Sequence, residues 1–112
     1  MRDVRWSHAE KVVARTAFES ALSRELKAIR KEAEGMLQRT PDAAEIWSVQ
    51  DFLFEKRREI DRKYDYRYSV LISVFGRLLY EGWLTDGDIA ALSSEKLELI
   101  HRSAAVHKEV DA

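Results

Sequence analysis

Between an S-x-x-E box at Ser7–Glu10 and the chain's only proline, Pro41, nothing interrupts a helical apolar period. Phe18, Leu22, Leu26, Ile29, Ala33 and Met36 recur at intervals of four, four, three, four and three. That spacing is one stripe down an α-helix. Ser7 and Glu10 stand at the distance of a reciprocal cap, so the helix opens there. It is predicted to end near Arg39, giving about 32 residues and a length of about 48 Å. A compact chain of this size has a radius of gyration near 13 Å and a diameter of about 35 Å. The first helix must therefore overhang, and its stripe must be covered. A homodimer joined along the long helices is the most economical cover, because closed two-fold dimers are the commonest oligomers. The other solution is a bent first helix folded back into a monomeric bundle.

The rest of the chain reads the same way. Thr40-Pro41 has the form of an N-cap followed by a first-turn proline. A second helix is predicted from Asp42 to about Lys63. "YSVLISVFGRLLYE" is apolar on nearly all sides, as a helix buried by its neighbours is. Gly82 is placed to cap it in the left-handed conformation. Thr85 or Asp86 caps a short helix holding Ile89 and Leu92, and Ser93-Ser94 starts a last one carrying Leu97, Ile100 and Ala104. No stretch alternates as a strand does. The predicted fold is all-α, with 112 residues forming one domain.

Charge and composition remove several function classes. The formal net charge is −1, so there is no basic footprint for nucleic acid. No apolar run reaches the length of an integral membrane segment, and "MRDVRWSHAEKVV" lacks the apolar run of a secretory signal. A cytoplasmic protein is expected. Without cysteine there is no thiolate ligand or redox pair. Glu98 and His101 have the spacing of a carboxylate–histidine ligand pair, but a dinuclear bundle site needs a second such pair. His8 and His107, near the termini, are expected in solvent. No metal, no cofactor and no enzymatic activity is expected.

The second helix is the informative one. On a wheel of about 100° per residue, Ile46, Val49, Leu53 and Ile60 share one arc, read as a core stripe. Trp47, Gln50, Asp51, Phe54, Arg57 and Arg58 occupy the adjoining arc, and Ser48, Glu55 and Glu59 the opposite side. A band of aromatic, amide and charged side chains bordering an apolar stripe can fix register across a dimer. It can equally dock another protein, since Trp, Tyr and Arg are the residues most enriched at binding hot spots. The two roles are compatible if dimerisation builds the docking surface. The following run, "EKRREIDRKYDYR", balances its Lys and Arg with Glu55, Glu59, Asp61 and Asp65 at helical spacing, and reads as an ion-paired, solvated face. Tyr64, Tyr66, Tyr68 and Tyr80 read as packing at a helix junction, and Trp83 as a staple behind Gly82.

"IWSVQDFLFEKRREIDRKYDYRYSVLISVFGRLLYEGWL" resembles the core of the cyanobacterial fluorescence recovery protein family. The resemblance rests on Trp47, Asp51-Phe52-Leu53, Lys56-Arg57, Glu59-Ile60-Asp61, Lys63-Tyr64-Asp65, Arg67, Ser69-Val70, Val74-Phe75 and Glu81-Gly82. It implies a non-enzymatic dimer with a stalk of long helices over 1–63 and a helical head over 64–112. It implies a partner too: the family binds photoactivated orange carotenoid protein and speeds its return to the resting form, which ends quenching of the phycobilisome. By position, the family's stalk tryptophan, aspartate and arginine fall on Trp47, Asp51 and Arg57. The stripe residues Ile46, Leu53 and Ile60 then belong to the dimer stalk. Two positions depart from the pattern. Gln50 stands where the family has histidine, which keeps hydrogen bonding but removes the imidazole's charge switching. Ser73 stands where the family uses an aromatic head contact. Apart from the resemblance, Leu99 and His101 on the last helix are candidates for partner contact that the sequence does not decide between. If cyanobacterial, the protein is expected to work peripherally to thylakoid membranes. The resemblance also admits a divergent homologue with a different, unidentified partner and no photoprotective role.

Overall fold

The S-x-x-E box closes as the spacing predicts. The backbone N–H of Glu10 donates to Ser7 Oγ at 3.1 Å, and that of Ser7 donates to Glu10 Oε1 at 3.1 Å. Helix α1 (His8–Arg39) then runs 32 residues without a break. The structure, a computed structural model, describes residues 4–39 and 41–111. The other helices are α2 (Ile46–Lys63), α3 (Leu71–Glu81), α4 (Asp86–Ile89) and α5 (Ser94–Asp111), with no strand among the described residues.

The start of the second helix differs from expectation. Thr40 lies outside the described residues, and the cap that forms is Asp42. Its Oδ1 accepts from the Ala44 N–H at 3.0 Å, and a 3₁₀ turn at Ala43–Glu45 leads into α2. An aspartate bonding the backbone two residues on is a turn in its own right, and it starts the turn that precedes α2. The later punctuation forms as read. Gly82 ends α3 with φ 87, a conformation costly for any residue with a Cβ. Thr85 caps α4 in a reciprocal box with Asp88.

One apolar cluster joins the two ends of the chain. Trp6, Ala14, Ala17, Phe18 and Ala21 pack with Leu71, Phe75, Leu78, Leu84, Ile89 and Ile100. The alanines of α1 leave room for rings. Phe18 meets Tyr66 edge-on with centroids 4.8 Å apart and Tyr64 at 5.4 Å. Tyr68 bridges Tyr66 and Trp6 at 5.5 and 5.8 Å. The tyrosines at the α2–α3 junction are thus packing elements. α3 and α5 approach so closely that a Cβ on Gly76 would lie 2.2 Å from Ser103 Oγ. His107 is not solvated as expected: it is half-buried and stacks on Tyr80, 6.3 Å away and tilted by 19°.

Beyond this cluster the C-terminal half of α1 projects, and α2 returns antiparallel beside it. The molecule measures 53 × 30 × 22 Å with a radius of gyration of 16.7 Å, against about 13 Å for a compact chain of this length. The overhang read from the unbroken stripe is therefore present. Among the described residues no helix is long and apolar enough to cross a membrane.

Candidate interaction surface on the second helix

Along α2, the side turned toward α1 carries Val49, Phe52, Lys56 and Lys63. Val49 and Lys63 are buried, while Phe52 and Lys56 are half-buried. With Ala28, Ile29 and Glu32 of α1 and Trp83, the two middle residues line a groove between the helices. The wheel's core stripe is therefore corrected. Of Ile46, Val49, Leu53 and Ile60, only Val49 is buried; Ile46 is 50% and Leu53 42% exposed. The reason is that α2 has one neighbour along most of its length. A helix packed on one side buries a narrow seam, and lysine stems help to fill it.

The outward side carries a second seam. Ile46, Gln50, Leu53, Arg57 and Ile60 follow one another at intervals of four, three, four and three. That is the spacing with which one helix presents a line to another in a coiled coil. Ile46, Val49, Gln50, Leu53, Phe54 and Arg57 surround a shallow hollow of about 420 Å³. Trp47 and Phe54 flank the seam at 62% and 61% exposure. The two arcs that the wheel separated thus converge on one open surface.

Its charges are nearly free. Arg57 Nε lies 3.9 Å from Asp61 Oδ2, with both side chains in water, a pairing worth at most about 1 kcal/mol. Asp51 has no ion-pair partner among the described residues. Arg58 lies 6.0 Å over the Phe54 ring. The acidic and basic residues of the following run pair locally, as Lys56–Glu59 at 3.4 Å and Arg58–Glu55 at 3.7 Å. Ser73 does not line this hollow but lies exposed on α3, and Leu99 is half-buried on α5.

Periodicity missed the group that holds the arm in place. Buried Lys63 donates to Glu25 Oε2 of α1 at 2.6 Å and to Glu81 Oε1 of α3 at 2.6 Å. The Tyr64 hydroxyl donates to Glu25 Oε1 at 2.8 Å, and Arg77 Nε donates to Glu81 Oε2 at 2.9 Å. Burial, then the bond to Glu25, pushes the Tyr64 phenol above its ordinary range. Burial also pushes the Glu81 carboxyl up, but Lys63 and Arg77 outweigh it and hold it low. Lys63 looked like one more member of a solvated run; the one available hint was that Lys63-Tyr64-Asp65 belongs to the family-like string.

Among the described residues no three His, Cys, Asp or Glu side chains are grouped to hold a metal. Glu98 and His101 are engaged separately, Glu98 by Arg102 at 2.8 Å and His101 by Asp86 at 2.8 Å.

Comparison with known proteins places this geometry. Residues 6–104 match the family model described as photoprotection regulator fluorescence recovery protein. The fluorescence recovery protein of Synechocystis sp. is 37% identical over 91 residues, spanning 81% of this chain and 84% of its own. The structure of the Fremyella diplosiphon fluorescence recovery protein superposes with a TM-score of 0.82 at 38% identity, covering 90% of this chain and 99% of that one. The structure of the Synechocystis protein superposes with a TM-score of 0.83 at 36% identity, over 90% and 99% of the two chains.

Proposed function

The chain belongs to the fluorescence recovery protein family of photoprotection regulators, and from that premise we propose that it is a non-enzymatic homodimer whose second helices form both the joint and a docking surface for a protein partner. The observation that carries the reading is the outward seam Ile46–Gln50–Leu53–Arg57–Ile60, apolar at three of its five positions and exposed within the protomer except at half-buried Ile60. Pairing two such seams along the arms covers Ile46 and Leu53. Gln50 then lies within the seam, where one amide can specify register at a cost in stability. Trp47, Asp51 and Phe54 border the joint and are offered to a third molecule. On this reading the projecting half of α1 and α2 supply the stalk, a shorter one than 1–63, and the C-terminal half, packed on the start of α1, supplies head contacts with Ser73 and Leu99.

By resemblance the partner is photoactivated orange carotenoid protein. A protein shifts another's equilibrium only by preferring one of its states, and it speeds a return only by stabilising the passage between them. A rigid dimer with a stalk surface and a head surface can hold two separated domains of its partner together, raising their effective concentration. The test is the dark recovery rate of photoactivated orange carotenoid protein with increasing amounts of this protein. A dose-dependent acceleration that Trp47→Ala and Arg57→Ala each reduce is expected. An unchanged rate at saturation, from a protein that is dimeric by light scattering, would favour the divergent homologue with another partner.

A further inference from the structure

We infer that the cleft where the end of α2 meets α3 and α5 is an anion subsite that receives the carboxylates of an acidic segment of a protein partner. The cleft encloses about 250 Å³ and gathers Arg62, Ser73, Arg77 and His107 over an apolar floor of Val70 and Val74. Its cations are in excess once each carboxylate is assigned. Asp65 is taken by Arg67, whose Nε donates to both its oxygens at 2.9 and 3.0 Å. Glu81 serves Lys63 with one oxygen and Arg77 with the other.

Arg62 is what remains. The carboxylates near it in sequence are engaged: Glu59 by Lys56 at 3.4 Å, Asp61 by Arg57 at 3.9 Å, and Asp65, just past the helix, by Arg67. Arg62 has no carboxylate partner among the described residues. Arg77 spends only its Nε on Glu81, which leaves its terminal nitrogens as donors, and the Ser73 hydroxyl has no partner among the described residues. The Arg62 guanidinium, the terminal nitrogens of Arg77 and the Ser73 hydroxyl therefore line one cleft with no carboxylate assigned to them among the described residues.

The geometry of a guanidinium favours a planar carboxylate, which it grips through two parallel bonds. The volume falls below the 300–1,000 Å³ or so typical of small-molecule sites. Side chains presented by a partner fit better than an enclosed metabolite, and the valine floor accepts an apolar neighbour of the acidic residue. This deepens the proposed regulatory reading and rests on it for the physiological occupant, though not for the chemistry of the site.

The experiment is an NMR titration of the intact protein with a blocked tetraglutamate peptide, using blocked tetraglutamine as control. The side-chain Nε–H signals of Arg62 and Arg77 and the Ser73 amide should move and saturate with the acidic peptide alone. Arg62→Gln, a change at an exposed position, should weaken that binding roughly three- to tenfold, while Lys27→Gln on α1 leaves it unchanged. Shifts spread evenly over basic residues of the surface, or an affinity unaltered by Arg62→Gln, would overturn the assignment. No photoprotein takes part, so saturable binding here beside an unchanged dark recovery rate would reject orange carotenoid protein as the partner and leave the subsite standing.

Discussion

At the scale of single residues, buried charges decide how the arm is held. Lys63→Met keeps the stem's volume and removes the ammonium, leaving Glu25 buried beside one remaining donor, Tyr64. Breaking one partner of a buried pair costs about 3–5 kcal/mol, and a loss of about 3 kcal/mol is expected from urea unfolding at fixed protein concentration. Glu10, half-buried at the start of α1, holds that end of the helix. Burial pushes its carboxyl up, but the N–H groups of Ser93 and Ser7, with Lys96, outweigh that and bring it from an ordinary 4.5 to about 2. A depressed carboxyl contributes stability above its unfolded pKa and loses it as pH falls through the folded one. The contribution is thus complete above about pH 4.5 and disappears toward pH 2. Glu10→Gln should be less stable than the parent at pH 6, and the gap should narrow as urea midpoints are followed down to pH 3. Both groups show where sequence reading stops. The cap role of Glu10 is local and legible in S-x-x-E. Its bonds to Ser93 and Lys96, and those of Lys63 to Glu25, join residues dozens of positions apart, which no periodicity records.

At the scale of elements, local signals proved legible and shared surfaces did not. Ser7–Glu10, Gly82 and Thr85 each act within one turn, and each forms as its spacing predicts. The stripe on α1 from Phe18 through Leu22, Leu26, Ile29 and Ala33 to Met36 is buried at Phe18 and Ala33 and half-buried at Leu22, Ile29 and Met36, yet Ala14, Ala17, Ala21 and Glu25, which lie outside it, are buried too. Small residues mark a close approach, but alanine is also the best helix former, so its meaning depends on the neighbour. Gly76 is the sharpest instance, because its role exists only opposite Ser103. A Cβ there would lie 2.2 Å from Ser103 Oγ, 2.4 Å from Ser103 Cβ and 3.1 Å from the Ala104 nitrogen. Gly76→Ala gains helix propensity yet must push α3 from α5, and overpacking of that kind costs about 1–3 kcal/mol. Thermal unfolding should show a net loss, and adding Ser103→Gly should recover part of it by removing the side chain that obstructs the methyl. A double-mutant cycle isolates that coupling.

At the scale of the whole molecule, shape and exposure point to the same partner. An unbroken α1 forces an axis of 53 Å on a protomer only 22 Å thick, and that much could be foreseen from the absence of any breaker before Pro41. Which side of the arm stays open could not, because Ile46 and Leu53 look like core on a wheel until α1 is seen to occupy the neighbouring seam. A stable interface needs about 800 Å² from each side, and exposed Ile46, Leu53 and Phe54 on α2, with half-exposed Leu26 and Leu37 on α1, are apolar surface available for it. Leu53 is the position at which to test this. It is 42% exposed in the protomer and outside the buried cluster, so Leu53→Glu should leave the fold of a single chain intact while placing two carboxylates face to face in a paired seam. Light scattering is expected to give twice the 13.0 kDa chain mass for the parent and the single mass for Leu53→Glu, with the same helical circular dichroism. If the substituted protein keeps the parent's mass, the seam is not the joint, and the exposed line from Ile46 to Ile60 belongs wholly to the partner.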